Sequence, residues 1–143
     1  MIQRIQTIFL VAIIGCLGVA LTMPLVHLQV DGQILDMTAF SVKANGETLI
    51  STFWIAITLI VTMFIAIVSI LKFKNRLLQI KLGALISLLC AVSVGLVFYF
   101  RGMYPAKLSV GTFSIMLALV FNFLANWFIR RDQKLVQDSD RLR

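Results

Sequence analysis

The sequence is short of the residues that do chemistry. It has one histidine, two cysteines and six acidic residues in 143 positions. Four stretches, about 5–23, 52–71, 82–100 and 108–129, contain no Asp, Glu, Lys, Arg or His at all. Ionisable groups inside a bilayer are costly and mark pumps and proton-coupled carriers. Their absence removes the main signature of a proton-driven transporter. It also leaves an intramembrane hydrolase without acid, base or metal ligand. The cysteines, Cys16 and Cys90, fall near the middle of the first and third stretches, with no C-x-x-C and none in the intervening segments. The pattern of a quinone-linked thiol oxidase is therefore missing, and both read as packing residues. His27 reads as a strand residue at the outer membrane edge, not as a ligand. No cofactor and no catalytic or metal-binding residue is expected.

What is present is apolar. Hydrophobic side chains make up 60% of the chain and charged ones 13%, with a mean hydropathy of +0.99. Soluble domains run near one half apolar and about one quarter charged. A helix needs about 20 apolar residues to cross a hydrocarbon core about 30 Å thick, so each stretch predicts one span. The first run continues past Cys16 through Leu17, Val19, Ala20 and Leu21, longer than a cleaved signal requires. It reads as a permanent helix.

With four spans both termini share one side. That side carries Arg4, the basic residues of 72–81, and Arg130, Arg131, Lys134, Arg141 and Arg143. The other carries Lys43, Arg101 and Lys107, cancelled by Asp31, Asp36 and Glu47. The net charge of +7 thus sits on one face, which the positive-inside rule assigns to the cytoplasm. Aromatic residues bracket the spans as an interfacial belt would: Phe53 and Trp54 open the second, Tyr99 and Tyr104 close the third, and Trp127 closes the fourth.

Between the first two spans the period changes. Pro24 ends the first helix, and residues 24–51 alternate apolar and polar around Asp31-Gly32 and Asn45-Gly46. Both dipeptides are hairpin turns in the making, so two small β-hairpins are expected over the outer helix ends. A lone hairpin is marginal in water; these should lean on each other, on the membrane or on a partner, as a docking surface or as a structured connector. The expected fold class is an all-α membrane protein: a four-transmembrane-helix bundle with a small extracytoplasmic β-hairpin loop between helices 1 and 2 and a cytoplasmic C-terminal helix extension. Residues 1–143 form one domain, with the periplasmic loop at 24–51 and the cytoplasmic tail at 130–143.

Two patterns inside the spans predict packing. Gly83, Ser87, Ala91 and Gly95 lie four apart in the third span, a small-residue stripe that lets another backbone approach. Its partner is another helix of the bundle, the preferred reading, or another protein. Ser114, Ala118, Asn122 and Asn126 repeat the spacing in the fourth span. The Asn122 amide requires a hydrogen-bond partner at that depth, and Thr58 and Thr62 carry further hydroxyls that can also bond their own backbone.

The closing stretch, LANWFIRRDQKLVQDSDRLR, contains no Pro or Gly. Phe128, Leu135 and Leu142 are seven apart, and Asp138 and Arg141 three apart, which predicts a helix with a narrow apolar stripe. Three readings stand: a stop-transfer flank, attraction to anionic lipid, and docking on a protein partner through Phe128, Leu135, Asp138, Arg141 and Leu142. Asp132, Asp138 and Asp140 offset five basic residues, which weakens bulk attraction to lipid or nucleic acid.

The opening MIQRIQT and the close LAN…IRRDQKLVQDSDRLR resemble an uncharacterised family of small four-span inner-membrane proteins from Bacteroidota, a domain of unknown function. Trp127 and Gln137 stand where basic residues would be expected of it. The resemblance implies the inner membrane of a Gram-negative cell, with the hairpin loop in the periplasm, and supplies no activity. Membrane lipids and other integral membrane proteins are the expected partners; nucleic acid is not, and no small-molecule substrate is identifiable. The function expected is that of a non-enzymatic accessory or scaffold subunit of a larger membrane assembly, for protein export or envelope biogenesis. The alternative is an oligomeric carrier or channel for a lipid or apolar small molecule.

Overall fold

A computed structural model describes residues 2–30, 33–44, 47–72, 75–103 and 106–141. In chain order these form helix α1 (Ile2–Thr22), strands β1 (Val26–Val30), β2 (Gln33–Met37), β3 (Ser41–Ala44) and β4 (Glu47–Ser51), helices α2 (Phe53–Leu71) and α3 (Arg76–Met103), strand β5 (Ala106–Leu108) and helix α4 (Val110–Arg141). Phe53–Leu71, Arg76–Gly102 and Val110–Lys134 are each long and apolar enough to cross a membrane; the described apolar part of α1, Gln6–Thr22, is shorter.

The helices close into a ring. α1 lies against α2 and α4, and α3 lies against the same two. Each turns one apolar stripe inward: Ile13 and Leu17 from α1, Ile55 and Leu59 from α2, Ile86 from α3 and Ile115 from α4 are all fully buried. The outward stripe is equally apolar, with Phe64 65%, Leu88 60% and Phe123 72% exposed. Water does not tolerate so continuous an apolar surface on a small protein.

One end of the ring is capped by a five-stranded antiparallel sheet in the order β4-β3-β2-β1-β5. β1 and β2 pair from Val26↔Met37 to Val30↔Gln33, and β3 and β4 from Ser41↔Ser51 to Ala44↔Glu47, with a register shift at Val42/Lys43. Strand alternation sends Val26, Leu28, Leu35, Met37 and Val42 into the core and leaves Gln29, Ile34 and Asp36 outside. The two expected hairpins therefore do lean on each other, through β2–β3 pairing at Asp36↔Lys43 and Met37↔Val42. The sheet is not confined to the segment between the first two helices. β5, from the connection between α3 and α4, pairs with β1 at His27↔Lys107, and this corrects the expected architecture. Three residues carry too little periodicity to announce a strand.

The sheet is fastened to α4 by backbone groups. Ser109 N donates to Leu25 O (3.0 Å), Gly111 N to Pro24 O (3.0 Å) and Leu25 N to Met37 O (2.7 Å). The buried Thr112 hydroxyl donates to Leu25 O at 2.6 Å. A Cβ at Gly111 would sit 2.7 Å from Pro24 O and 2.8 Å from Leu25 Cδ2, so only glycine permits this approach. α2 is tied in the same way: Thr52 N donates to Phe40 O, Ala56 N to Ala39 O, and the Thr52 hydroxyl to Thr38 O.

At the far end the helices outrun the apolar spans. α3 begins at Arg76 because the Asn75 side chain accepts from Leu78 N at 3.1 Å, an N-terminal cap. Most of the basic segment 72–81 is therefore helical. α4 continues unbroken to Arg141, so the tail extends the helix as its sequence predicts.

Gly111→Ala should lower stability by about 1–3 kcal/mol, the usual cost of overpacking. Gly95→Ala, where a Cβ meets nothing within 4 Å, should be neutral or gain up to ~1 kcal/mol from helix propensity. Thermal unfolding in a mild detergent measures both, and equal effects would overturn the close-approach account.

Candidate functional site

The seam between α3 and α4 carries a buried polar network. Asn122, 1% exposed, donates its amide to Gly83 O at 2.8 Å and to Ser87 Oγ at 2.6 Å. Ser87 in turn donates to Gly83 O at 3.2 Å. One turn further along α4, the Asn126 amide lies against Gly83, in the space a Cβ would fill. Among the described residues the side-chain oxygens of Asn122 and Asn126 are buried without a partner. Glycine and two amides thus pack as one unit: Asn122 bonds the backbone of the facing helix, and Asn126 fills the space the missing side chain leaves.

The predicted stripe only partly occupies this seam. Gly83 is buried and Ser87 half-buried, whereas Ala91 and Gly95 are exposed. Four residues advance a helix by about 40° beyond a full turn, so twelve carry the stripe about 120° around the axis. Its second half leaves the contact for the outer surface. In α2, Thr58 and Thr62 bond their own backbone, to Ile55 O and Thr58 O, and Thr58 also meets Ser93 Oγ across the α2–α3 contact at 2.9 Å.

The end of the bundle away from the sheet is polar in all four helices. Gln79 donates to Ser69 O at 2.9 Å, tying α3 to α2. Arg76 pairs with Asp132 at 2.9 Å and donates to its carbonyl at 3.2 Å, tying α3 to the tail. Gln6 of α1 is 5% exposed, with its amide nitrogen unpartnered among the described residues. Of the docking candidates, Phe128 stacks on Phe9 of α1, with centroids 5.6 Å apart. It is engaged within the chain. Leu135, Asp138 and Arg141 lie on the backbone of α4 with side chains outside the described set, and Leu142 lies outside the described residues.

Beside the seam, on the outer surface, a groove of about 360 Å³ is lined by Ala84 and Ser87 of α3 and Phe123, Asn126, Trp127 and Arg130 of α4. Its walls are aromatic, its floor is an amide and a hydroxyl, and a guanidinium stands at its end. The neighbouring Arg131 lies over the Trp127 ring at 5.6 Å.

The sheet end holds a second constellation. Asp36 Oδ1 meets His27 Nδ1 at 2.6 Å, and His27 Nε2 meets Ser109 Oγ at 3.0 Å. The order is that of a hydrolytic triad, but the surroundings are not. Ser109 is 7% exposed. Four neighbouring amides are already committed: Ser109 N and Gly111 N to the Leu25 and Pro24 carbonyls, Thr112 N and Phe113 N to Ser109 O. A triad needs an accessible nucleophile. Here the three side chains stitch β1 and β2 to the start of α4.

A model of one protein family, described as a domain of unknown function (DUF4293), matches residues 2–142. The chain belongs to that family. No curated protein matches it.

Three contacts escaped the sequence: the stitch at His27, the Arg76–Asp132 pair and the Gln79–Ser69 bond. Each joins residues from separate elements, so no local spacing announces it. Only the α3 cap at Asn75 carried a local signal, an Asn immediately before a helical run.

Asn122→Ala should cost about 0.6–2 kcal/mol, the range of interhelical amide bonds in membranes. Because Ser87 shares the network, Asn122→Ala and Ser87→Ala should be non-additive in a double-mutant cycle of thermal unfolding. Strict additivity would show the two side chains to be independent.

Proposed function

We propose that the protein is a four-span integral protein of a bacterial inner membrane. Both termini face the cytoplasm, and the sheet lies in the periplasm. It serves as a non-enzymatic accessory or scaffold subunit of a larger membrane assembly, for protein export or envelope biogenesis. The observation that carries the reading is the filled axis of the bundle. Ile13, Leu17, Ile55, Leu59, Ile86 and Ile115 close the space between the helices, which leaves the outer surfaces to do the work. The apolar exterior supports insertion. The packing of α1 against α2 and α4 supports counting it as the fourth span. The basic residues around α3's start and α4's end support the orientation. In this orientation Ile34, 73% exposed, and the edge strand β4 would be open to a periplasmic partner. The burial of Ser109, 7% exposed, supports a role other than catalysis.

A single cysteine at Gln29, in a chain whose Cys16 and Cys90 are replaced by alanine, should label in intact spheroplasts with a membrane-impermeant maleimide. One at Lys134 should label only after permeabilisation. The reverse pattern would overturn the orientation. Photo-crosslinkers placed at Ile34 and at Lys134, at native expression, should trap the same integral membrane protein in stoichiometric amounts after mild-detergent purification. Recovery of this chain alone, or only of copies of itself, would overturn the accessory reading, and the self-adduct would favour an oligomeric carrier.

A further inference from the structure

We propose that the groove between α3 and α4 is a binding site for an anionic phospholipid of the cytoplasmic leaflet. The proposal rests on the membrane reading and deepens it. The groove lies where the fourth span ends. From Phe123 to Arg130 it rises about 10 Å along α4, at ~1.5 Å per residue, close to the length from a phosphate to the upper part of an acyl chain. Its chemistry changes along that rise in the order a phospholipid changes. Arg130 stands at the membrane surface, where a phosphate sits. Trp127 and the Asn126 amide follow at the level of the ester groups. Phe123 and Ala84 wall the deepest part, where the chain is hydrocarbon.

Three observations separate a built site from a generic basic rim. First, the groove has volume, about 360 Å³, enough for a headgroup and the start of one chain. Second, its floor is fixed from behind. Ser87 is held by Asn122 and by Gly83 O, and Asn126 is seated against Gly83. The polar groups are therefore presented in place and not gathered by the ligand, which lowers the ordering cost of binding. Third, the two adjacent arginines have different surroundings. Arg131 lies over the Trp127 ring and is not among the groove's lining residues, whereas Arg130 lines it. A guanidinium binds phosphate oxygens in pairs, with charge-assisted hydrogen bonds about twice as strong as neutral ones. Phe123 and Trp127, which line the groove, are both exposed on the outer surface of the bundle, where a ligand arriving from the bilayer would meet them.

The test uses the full chain purified in a neutral detergent. Phosphatidylglycerol or phosphatidylcholine is added in mixed micelles, and binding is read by native mass spectrometry and by the shift in unfolding temperature. Phosphatidylglycerol should bind at one saturable site and raise the unfolding temperature, while phosphatidylcholine should not. Arg130→Gln should weaken binding about tenfold or more, and Arg131→Gln by less than about threefold. Ala84→Phe, which fills the groove without altering charge, should abolish the saturable site. Soluble glycerol phosphate in place of the lipid should bind far more weakly, because the apolar walls contribute nothing to it. Equal losses from Arg130→Gln and Arg131→Gln, or undiminished binding by Ala84→Phe, would overturn the proposal in favour of diffuse surface attraction. Retention of the chain in carbonate-washed membranes, measured in parallel, separates this outcome from failure of the membrane reading. A protein that stays in the membrane but shows no lipid preference refutes the site alone.

Discussion

The structure depends on two carbonyl groups. Pro24 ends α1, and its carbonyl and that of Leu25 receive the Gly111 and Ser109 amides and the Thr112 hydroxyl at the start of α4. The first and last helices are thereby joined at one end of the molecule. Everything else at that end follows from this approach. β1 can begin at Val26 only because Leu25 is fixed from both sides, by Met37 O behind and by α4 in front. His27, one residue into the strand, is then carried to Ser109. β5 is held beside β1 because it leads directly into the same helix start. The absence of a side chain at residue 111 is the condition for all of it.

Much of the architecture was legible because it is periodic. Runs free of charge longer than about 18 residues have few alternatives to a helix long enough to span, and alternation around Asp31-Gly32 and Asn45-Gly46 has few alternatives to antiparallel pairing. The continuation of α4 through residues 130–141 was legible for the same reason, from an uninterrupted helical composition. What was not legible was non-local. β5 is three residues long and becomes a strand only because β1 offers it an edge. Arg76 and Asp132 are distant in sequence, and nothing near either points to the other. The stripe in α3 was read as one surface, and helix geometry makes it two: Gly83 and Ser87 belong to the seam, while Ala91 and Gly95 have turned away. Spacing of four indicates a common face over one or two turns and loses it over three. Asn122 was legible in kind but not in partner. An amide at that depth demands a hydrogen bond, and the glycine that supplies a bare carbonyl lies across the seam.

The two ends of the molecule handle polarity differently. At the sheet end the buried polar side chains Thr52, Ser109 and Thr112 all find partners, most of them backbone groups. At the opposite end Gln6, Ser69, Gln79 and Asn122 are each at least nine-tenths buried, and each keeps one side-chain polar atom without a partner among the described residues. An unpaired buried polar atom costs about 1–3 kcal/mol, so a group that reaches one of these atoms and bonds it would stabilise this end. Asn126 and Ser87 are the members of this polar end that line the groove beside Arg130. Phe9, Phe128 and the Arg76–Asp132 pair hold the surrounding helices in register around it. The basic end is therefore where binding can change the balance between helices. A lipid seated between α3 and α4 would bear on Ser87 and Asn126, which line the groove and sit beside Gly83.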